Sequence, residues 1–354
     1  DLTAGVLSKV GSGKLSLEGA NSHTGTVIVE GTIEYTTDEN LGQAGAGITL
    51  GGGTLQYAGS GGLYTVGRSI TLTDDSFLRN VGNAVRYSGK ISDGTDSHGF
   101  TLLSGPVYLS SAANDYDGET VVDGGTLYAH ADGALGSTAG GTTVNSGATL
   151  TVDTNYTTPE TLYLNGGIFR TSRGPGSTAT WHGDVVLQDT ARIRAKHHAS
   201  GVATLKLTGT ISGDHDLRVG PGERGIVHLT GQNTYLGATT VEQGTLVVDG
   251  SIASSSGLTV FDGATLRGHG LLPDVGGAGI VSPGNSPGIL TAPSVDPSAG
   301  LDFAFEFTSA GAPDYGNAAD SANDLFRLTD PSAPFAAPLD GDNRRLVKAG
   351  LLRI

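Results

Sequence analysis

The stretch from Ile226 to Gly250, IVHLTGQNTYLGATTVEQGTLVVDG, decides how this chain folds. Polar residues flank Val241, and the apolar side chains of Leu246 and Val248 fall on alternate positions. A period of two is the signature of a strand that buries one face. Gly244 lies between the two runs and lets the backbone turn through positive φ. The stretch therefore predicts two short strands joined by a tight turn.

Two weaker copies of this stretch lie upstream, so that the three copies span residues 14–35, 107–129 and 226–250. In each copy an asparagine precedes a glycine by four residues, and a second glycine follows the asparagine after 10 or 11 residues. We expect these residues to have a structural role in turns, where asparagine tolerates left-handed backbone angles and can bond its own backbone. The positions are Asn21, Gly25, Gly31, Asn114, Gly118, Gly125, Asn233, Gly237 and Gly244.

Similar strands recur between the copies. Leu127, Leu150, Phe169 and Ile193 follow one another at intervals of 23, 19 and 24 residues. Units this short cannot bury an apolar face alone and must stack on their neighbours. They are also too short for propeller blades and lack the consensus of leucine-rich repeats. The sequence thus predicts an all-β solenoid, a parallel β-helix over residues 1–300, with these four side chains in one core.

The alternation also predicts which other side chains point inward. These are Val27, Val29, Ile33, Val121, Val241, Leu246 and Val248. Two later strands, within residues 301–307 and 324–330, are predicted to form a C-terminal β cap over residues 301–343. The basic segment 344–354 differs in texture from the rest, and we expect it to lie outside the folded unit; a cloning remnant or an altered reading frame would give such a tail.

Composition limits the classes of function. The net charge of −15 and a pI near 4.8 argue against nonspecific binding to nucleic acid or to an anionic membrane. The chain has no cysteine, which excludes disulfides and thiolate metal sites. No segment approaches the roughly 18 apolar residues of a membrane span, so we expect no membrane insertion. Calcium-binding repeats and EF-hand loops are missing from the sequence, and we expect neither a metal nor a cofactor.

The copy LTGQNTYLGATTVEQGTLVVDG, residues 229–250, together with SPGNSPGIL at 282–290, resembles the autotransporter-associated β-strand repeat of bacterial type V secreted passenger domains. The second copy departs from the pattern at Ala112, where the family has glycine. The first copy is one residue shorter and has His23 in place of tyrosine.

The resemblance implies a right-handed parallel β-helix that is exported through the periplasm and the outer membrane. It also implies a C-terminal outer-membrane β-barrel translocator on the precursor, and a final location outside the cell or on its surface. In that family the repeats support export and folding rather than catalysis. We therefore expect a structural passenger that presents an interaction surface and has no catalytic residues.

One strongly basic stretch, TARIRAKHH at residues 190–198, is the candidate binding site. As a strand it would turn Ile193 and Ala195 inward and its basic side chains outward. Such side chains would dock an anionic surface glycan through charge-assisted hydrogen bonds, and other partners are host or bacterial surface proteins. The alternative is a solvated face that acidic neighbours neutralise. The basic side chains are Arg192, Arg194, Lys196 and His198.

Two alternatives to a purely structural passenger remain at this point. The first is a glycan-binding adhesin that uses the basic stretch. The second is a β-helix polysaccharide lyase or hydrolase; a glycosidase needs two carboxyl groups roughly 5 to 10 Å apart. Asp184 and Asp189, near Arg192 and Arg194, form the best local group. A chain with 35 acidic residues will contain such groups by chance.

Overall fold

The computed structural model describes residues 5–284, 288–304 and 325–330. Within this part of the chain, regular structure consists of short β-strands and one 3-10 helix, Asp38–Leu41. The parallel sheets form a β-solenoid of about 13 turns, which confirms the predicted fold class. The chain divides into two compact units, Asp1–Arg170 (unit 1) and Thr171–Ile354 (unit 2).

Unit 1 contains three parallel sheets, with strand orders β1-β3-β5-β8-β11, β7-β10-β13-β15-β17-β19 and β2-β4-β6-β9-β12-β14-β16-β18. Its strands are β1 (Val6–Lys9), β2 (Lys14–Ser16), β3 (Gly25–Ile28), β4 (Thr32–Tyr35), β5 (Ile48–Gly51), β6 (Thr54–Tyr57), β7 (Tyr64–Val66), β8 (Ile70–Asp74), β9 (Ser76–Asn80), β10 (Val85–Tyr87), β11 (Ile91–Ser92), β12 (Phe100–Ser104), β13 (Pro106–Leu109), β14 (Thr120–Val122), β15 (Thr126–Ala129), β16 (Thr142–Asn145), β17 (Thr149–Val152), β18 (Leu162–Asn165) and β19 (Ile168–Thr171).

Unit 2 contains two larger parallel sheets, β22-β27-β29-β31-β33-β36 and β20-β25-β28-β30-β32-β34-β37. It also has the pairs β21-β26 and β35-β38 and an antiparallel hairpin, β23-β24. Its strands are β20 (Thr178–Trp181), β21 (Val185–Leu187), β22 (Ala191–Ala195), β23 (His197–His198), β24 (Gly201–Val202), β25 (Thr204–Leu207), β26 (Ile211–Gly213), β27 (Leu217–Val219), β28 (Ile226–Leu229), β29 (Thr239–Val241), β30 (Thr245–Val248), β31 (Leu258–Val260), β32 (Thr265–Gly268), β33 (Val275–Gly277), β34 (Ile280–Pro283), β35 (Ile289–Ala292), β36 (Val295–Asp296), β37 (Asp302–Phe303) and β38 (Leu325–Leu328).

Stacked apolar side chains form the core of each unit. In unit 1, Leu127 pairs with Leu150, and Leu150 pairs with Phe169, on successive coils. All three are fully buried, as predicted. In unit 2, Ile193 is also fully buried and pairs with Val219. Each coil thereby covers the apolar face of the next, which is how units of about 20 residues escape the solvent.

Most of the other predicted inward positions are confirmed. Buried side chains that match the prediction are Ile33, Val241, Leu246 and Val248. The prediction was wrong for Val27, Val29 and Val121, because the buried residues there are Ile28 and Val122. Both sites contain consecutive apolar residues, so alternation within the strand does not fix its phase. The neighbouring coils fix it: Ile28 pairs with Leu50, whereas Val27 pairs with Ser8 and Thr49.

The predicted cap lies largely outside the described residues, as does the basic tail 344–354. The described part of the cap contains β37 and β38, which pair in parallel with β34 and β35. The rings of Phe303 and Phe326 lie 5.7 Å apart, edge to face. The capping role itself stays a prediction.

Candidate interaction surface

The repeat asparagines connect adjacent coils. Asn114 accepts a hydrogen bond from the Ile91 amide (2.8 Å) and donates one to the Ala134 carbonyl (2.7 Å). Asn233 forms the same pair of bonds with the coils before and after it. Asn21 donates to the following coil. The bonded residues of Asn114 are 23 and 20 positions away, so this side chain ties coils together rather than closing a local turn.

A buried hydroxyl contact follows each bridging asparagine. The Tyr235 hydroxyl lies 2.6 Å from that of Thr239, and Tyr116 makes the same contact with the threonine four positions on. In the first copy His23 replaces the tyrosine, with Nε2 2.9 Å from the Thr26 hydroxyl. Burial, with Arg68 nearby, lowers the pKa of His23. A neutral imidazole thus fills the place of a phenol, which explains why the repeat tolerates this departure.

The repeat glycines serve two purposes. The later glycine of each copy has the predicted positive φ: 71° at Gly31, 74° at Gly125 and 73° at Gly244. The earlier glycine permits close approach of the previous coil, since a Cβ at Gly118 or Gly237 would lie within 2.2 Å of backbone atoms. At Gly25 the nearest atom would be 3.7 Å away, so close approach is a property of the second and third copies.

The basic stretch follows its predicted alternation over one strand only. On β22, Arg192 and Arg194 are half-buried on the outer face, while Ile193 and Ala195 are buried. The strand ends at Ala195, and β23 and β24 then form the hairpin. His198 therefore lies in the hairpin and not in a straight row with the two arginines.

Contacts separate the predicted basic residues further. Arg194 donates a hydrogen bond to the Pro221 carbonyl at 2.9 Å. His198 donates through Nε2 to the Arg173 carbonyl at 2.5 Å. Arg192 pairs in register with Arg218 on the next coil, and Arg218 forms an ion pair with Glu242.

Arg218 is the residue that sequence reasoning missed. It lies 26 residues after Arg192, beyond the 19 to 24 residue spacing of the other coils, because the hairpin lengthens this coil. A basic residue at the same strand phase, one coil later, was the available signal.

The carboxylates considered for catalysis have structural partners. Asp184 accepts a hydrogen bond from the Thr210 amide at 2.8 Å, and Asp189 accepts one from the amide that follows it. Both are exposed. A shallow cleft of about 270 Å³ in unit 1 is lined by Asp75, Asp117 and Glu119 among others, but these described lining residues include no Lys, Arg or His. Across the described ranges, no three His, Asp or Glu side chains are arranged to hold a metal ion.

Comparison with known proteins connects this architecture to a family. The passenger-associated-transport-repeat family matches residues 7–34, 104–129 and 225–248, which are the three copies. The chain is 31% identical over 275 residues to the adhesin BmaC autotransporter of Brucella suis biovar 1 (strain 1330). The chain is an autotransporter passenger segment. The alignment covers 68% of this chain and 8% of that relative's length.

As a passenger segment, the chain is located outside the cell or on its surface. The relationship also implies a C-terminal translocator domain on the precursor. No helix among the described residues is long and apolar enough to cross a membrane. No solved structure matches the passenger segment.

Proposed function

We propose that the passenger segment is a non-catalytic adhesive surface. In this proposal the repeats hold the coils in register, and outward side chains of adjacent coils together form binding sites. The similarity to a relative named as an adhesin supports a non-enzymatic role. The observation that carries the proposal is the register of Arg192 with Arg218, since two guanidinium groups on neighbouring coils can engage one anionic ligand.

The proposed ligand is a carboxylated or sulfated surface glycan. The chain's acidity is unevenly distributed, which favours an anion on unit 2. Residues 1–170 contain 7 Lys and Arg against 17 Asp and Glu, a net charge of −10. Residues 171–284 contain 8 against 9, a net charge of −1. Because the Debye length is about 8 Å at physiological salt, a ligand on unit 2 senses mainly the nearby arginines.

The test is retention of the full chain on an immobilised sulfated glycan at pH 7.5 and low salt. Replacing the basic side chains of β22 and its continuation by serine should abolish retention, because they supply the short-range charge, while the buried core stays intact. A matched variant removes three exposed positive charges from unit 1 and should be retained like the wild type. The two variants are R192S/R194S/K196S and K14S/R79S/K90S.

Two results would contradict the proposal. Equal retention of the wild type and R192S/R194S/K196S would exclude these residues from the site. Equal loss in both variants would mean that binding depends on overall charge and not on this surface.

A further inference from the structure

Unit 2 has a second outward surface, on the sheet that contains β25, β28, β30 and β32. In register across these strands lie Lys206, His228, Val247 and Arg267. Neighbouring strands are about 4.8 Å apart, so the two fixed cations are separated by about 14 Å. We call this row and the parallel row two residues further along each strand the histidine face.

The parallel row contains a carboxylate between two imidazoles. Asp249 accepts a hydrogen bond from His228 Nε2 at 2.7 Å and another from His269 Nδ1 at 3.0 Å. The backbone amide of His269 donates to the same carboxylate at 3.2 Å. These three residues belong to three successive coils, and the His269 side chain is 43% exposed. The cluster is therefore accessible to a ligand that lies along the stack.

The charge of the histidine face depends on its imidazoles. Its outward charged or titratable residues within the described strands are Lys206, Arg267, Asp249, His182, His228 and His269. With neutral imidazoles the net charge is +1, and with three protonated imidazoles it is +4. The turn before β28 adds Glu223 and Arg224, whose charges offset each other.

Asp249 favours this change. Burial raises the pKa of its carboxyl group, but hydrogen bonds from His269 and His228 outweigh burial and hold the pKa below its ordinary value. The carboxylate therefore remains ionised while the imidazoles gain protons, and it stabilises both as cations. Imidazole is the side chain that changes charge between about pH 5 and 8.

We propose that the histidine face binds an extended polyanionic glycan, and that protonation of His228 and His269 strengthens this binding as the pH falls. The inference deepens the proposed function and rests on it, because both assign glycan recognition to unit 2. A row of hydroxyls from Thr204, Thr245 and Thr265 lies beside the cationic row and suits sugar hydroxyl groups. Fixed cations about 14 Å apart suit a polymer with repeated acidic groups better than a single small anion.

The experiment compares retention of the full chain on an immobilised sulfated glycan at pH 5.5 and 7.5, at constant ionic strength. The wild-type binding constant should rise about threefold to tenfold on acidification, because two exposed ion pairs are added. The variant H228Q/H269Q should lose most of this rise and keep the wild-type retention at pH 7.5. The control H197Q/H215Q changes two other histidines of unit 2 and should behave like the wild type.

A second variant, K206Q/R267Q, should weaken retention at both pH values, since it removes the fixed cations. The inference is overturned if the wild type shows no rise at pH 5.5, or if H228Q/H269Q keeps the full rise. Stronger retention on immobilised poly-glutamate than on the glycan would overturn the ligand class. The proposed function is judged separately, by the loss of retention in R192S/R194S/K196S at pH 7.5.

Discussion

At the scale of single residues, Glu160 shows how strongly the core of unit 1 controls a side chain. It is fully buried, and the Thr142 hydroxyl donates a hydrogen bond to it at 2.5 Å. Burial raises its pKa to about 8 from 4.5, despite hydrogen bonds from Thr142 and Tyr156. The folded chain thus keeps Glu160 protonated at neutral pH, whereas the unfolded chain ionises it.

This pKa predicts a pH dependence of stability. A carboxyl group whose pKa is raised by folding favours the folded state at low pH. The free energy of unfolding should therefore fall as the pH rises from about 4.5 to about 8, by at most about 5 kcal/mol. In Glu160→Gln this slope should disappear, as measured by urea unfolding of unit 1 at pH 5 and pH 8. The exposed control Glu18→Gln should keep the wild-type slope; an unchanged slope in Glu160→Gln would refute the assignment.

Asn233 allows the bridge between coils to be tested. In Asn233→Ala the buried Ile211 amide loses its acceptor, which should cost about 1–3 kcal/mol. Hydrogen exchange at the Ile211 amide should accelerate in this variant. Asn165→Ala, which alters an exposed asparagine, should leave that amide unchanged. Equal exchange in Asn233→Ala and the wild type would argue against the bridge.

Sequence reasoning identified the repeat asparagines but not their bonding. Turn chemistry is local, so a glycine with positive φ such as Gly244 can be predicted from neighbouring residues. The partners of Asn233 lie 22 and 18 residues away, and only the register between coils brings them together. The same reason explains why the pairing of Arg192 with Arg218 was missed.

At the scale of the strand and turn, the distance between coils is set where glycine meets backbone. A Cβ at Gly237 would lie 2.2 Å from the His215 carbonyl carbon, so Gly237→Ala must push two coils apart. We expect a loss of about 1–3 kcal/mol, measured as a lower urea midpoint. Gly257→Ala is the control, because no atom lies within 4 Å of its Cβ position, and it should change stability by less than about 0.5 kcal/mol. Equal midpoints in the two variants would show that the coils have room at Gly237.

Strand existence was easier to predict than strand phase. The G-x-T-L elements around Leu127 and Leu246 have a single apolar phase at their start, and both side chains are buried as predicted. Val121 and Val122 offer two phases, and pairing of Val122 with Leu102 and Val144 selects the second. Packing against adjacent coils therefore decides what a period of two leaves open.

At the scale of the whole molecule, the repeat period predicted the solenoid, while the surface needed three-dimensional placement. Spacings of 19 to 24 residues are enough to infer stacked coils. The histidine face joins His228, Asp249 and His269, which are about 20 residues apart in sequence, and no local motif signals it. Function in this segment depends on columns of side chains along the stack rather than on contiguous motifs.

The central claim is that the passenger segment binds a polyanionic glycan without cleaving it. Size-exclusion chromatography of an end-labelled sulfated glycan, incubated with the full chain at pH 5.5, tests both parts of the claim together. The account predicts that the label elutes earlier with the chain and returns to its original position, unshortened, once high salt releases it. A label that elutes as shorter fragments, or one that never shifts with the chain, would contradict the claim.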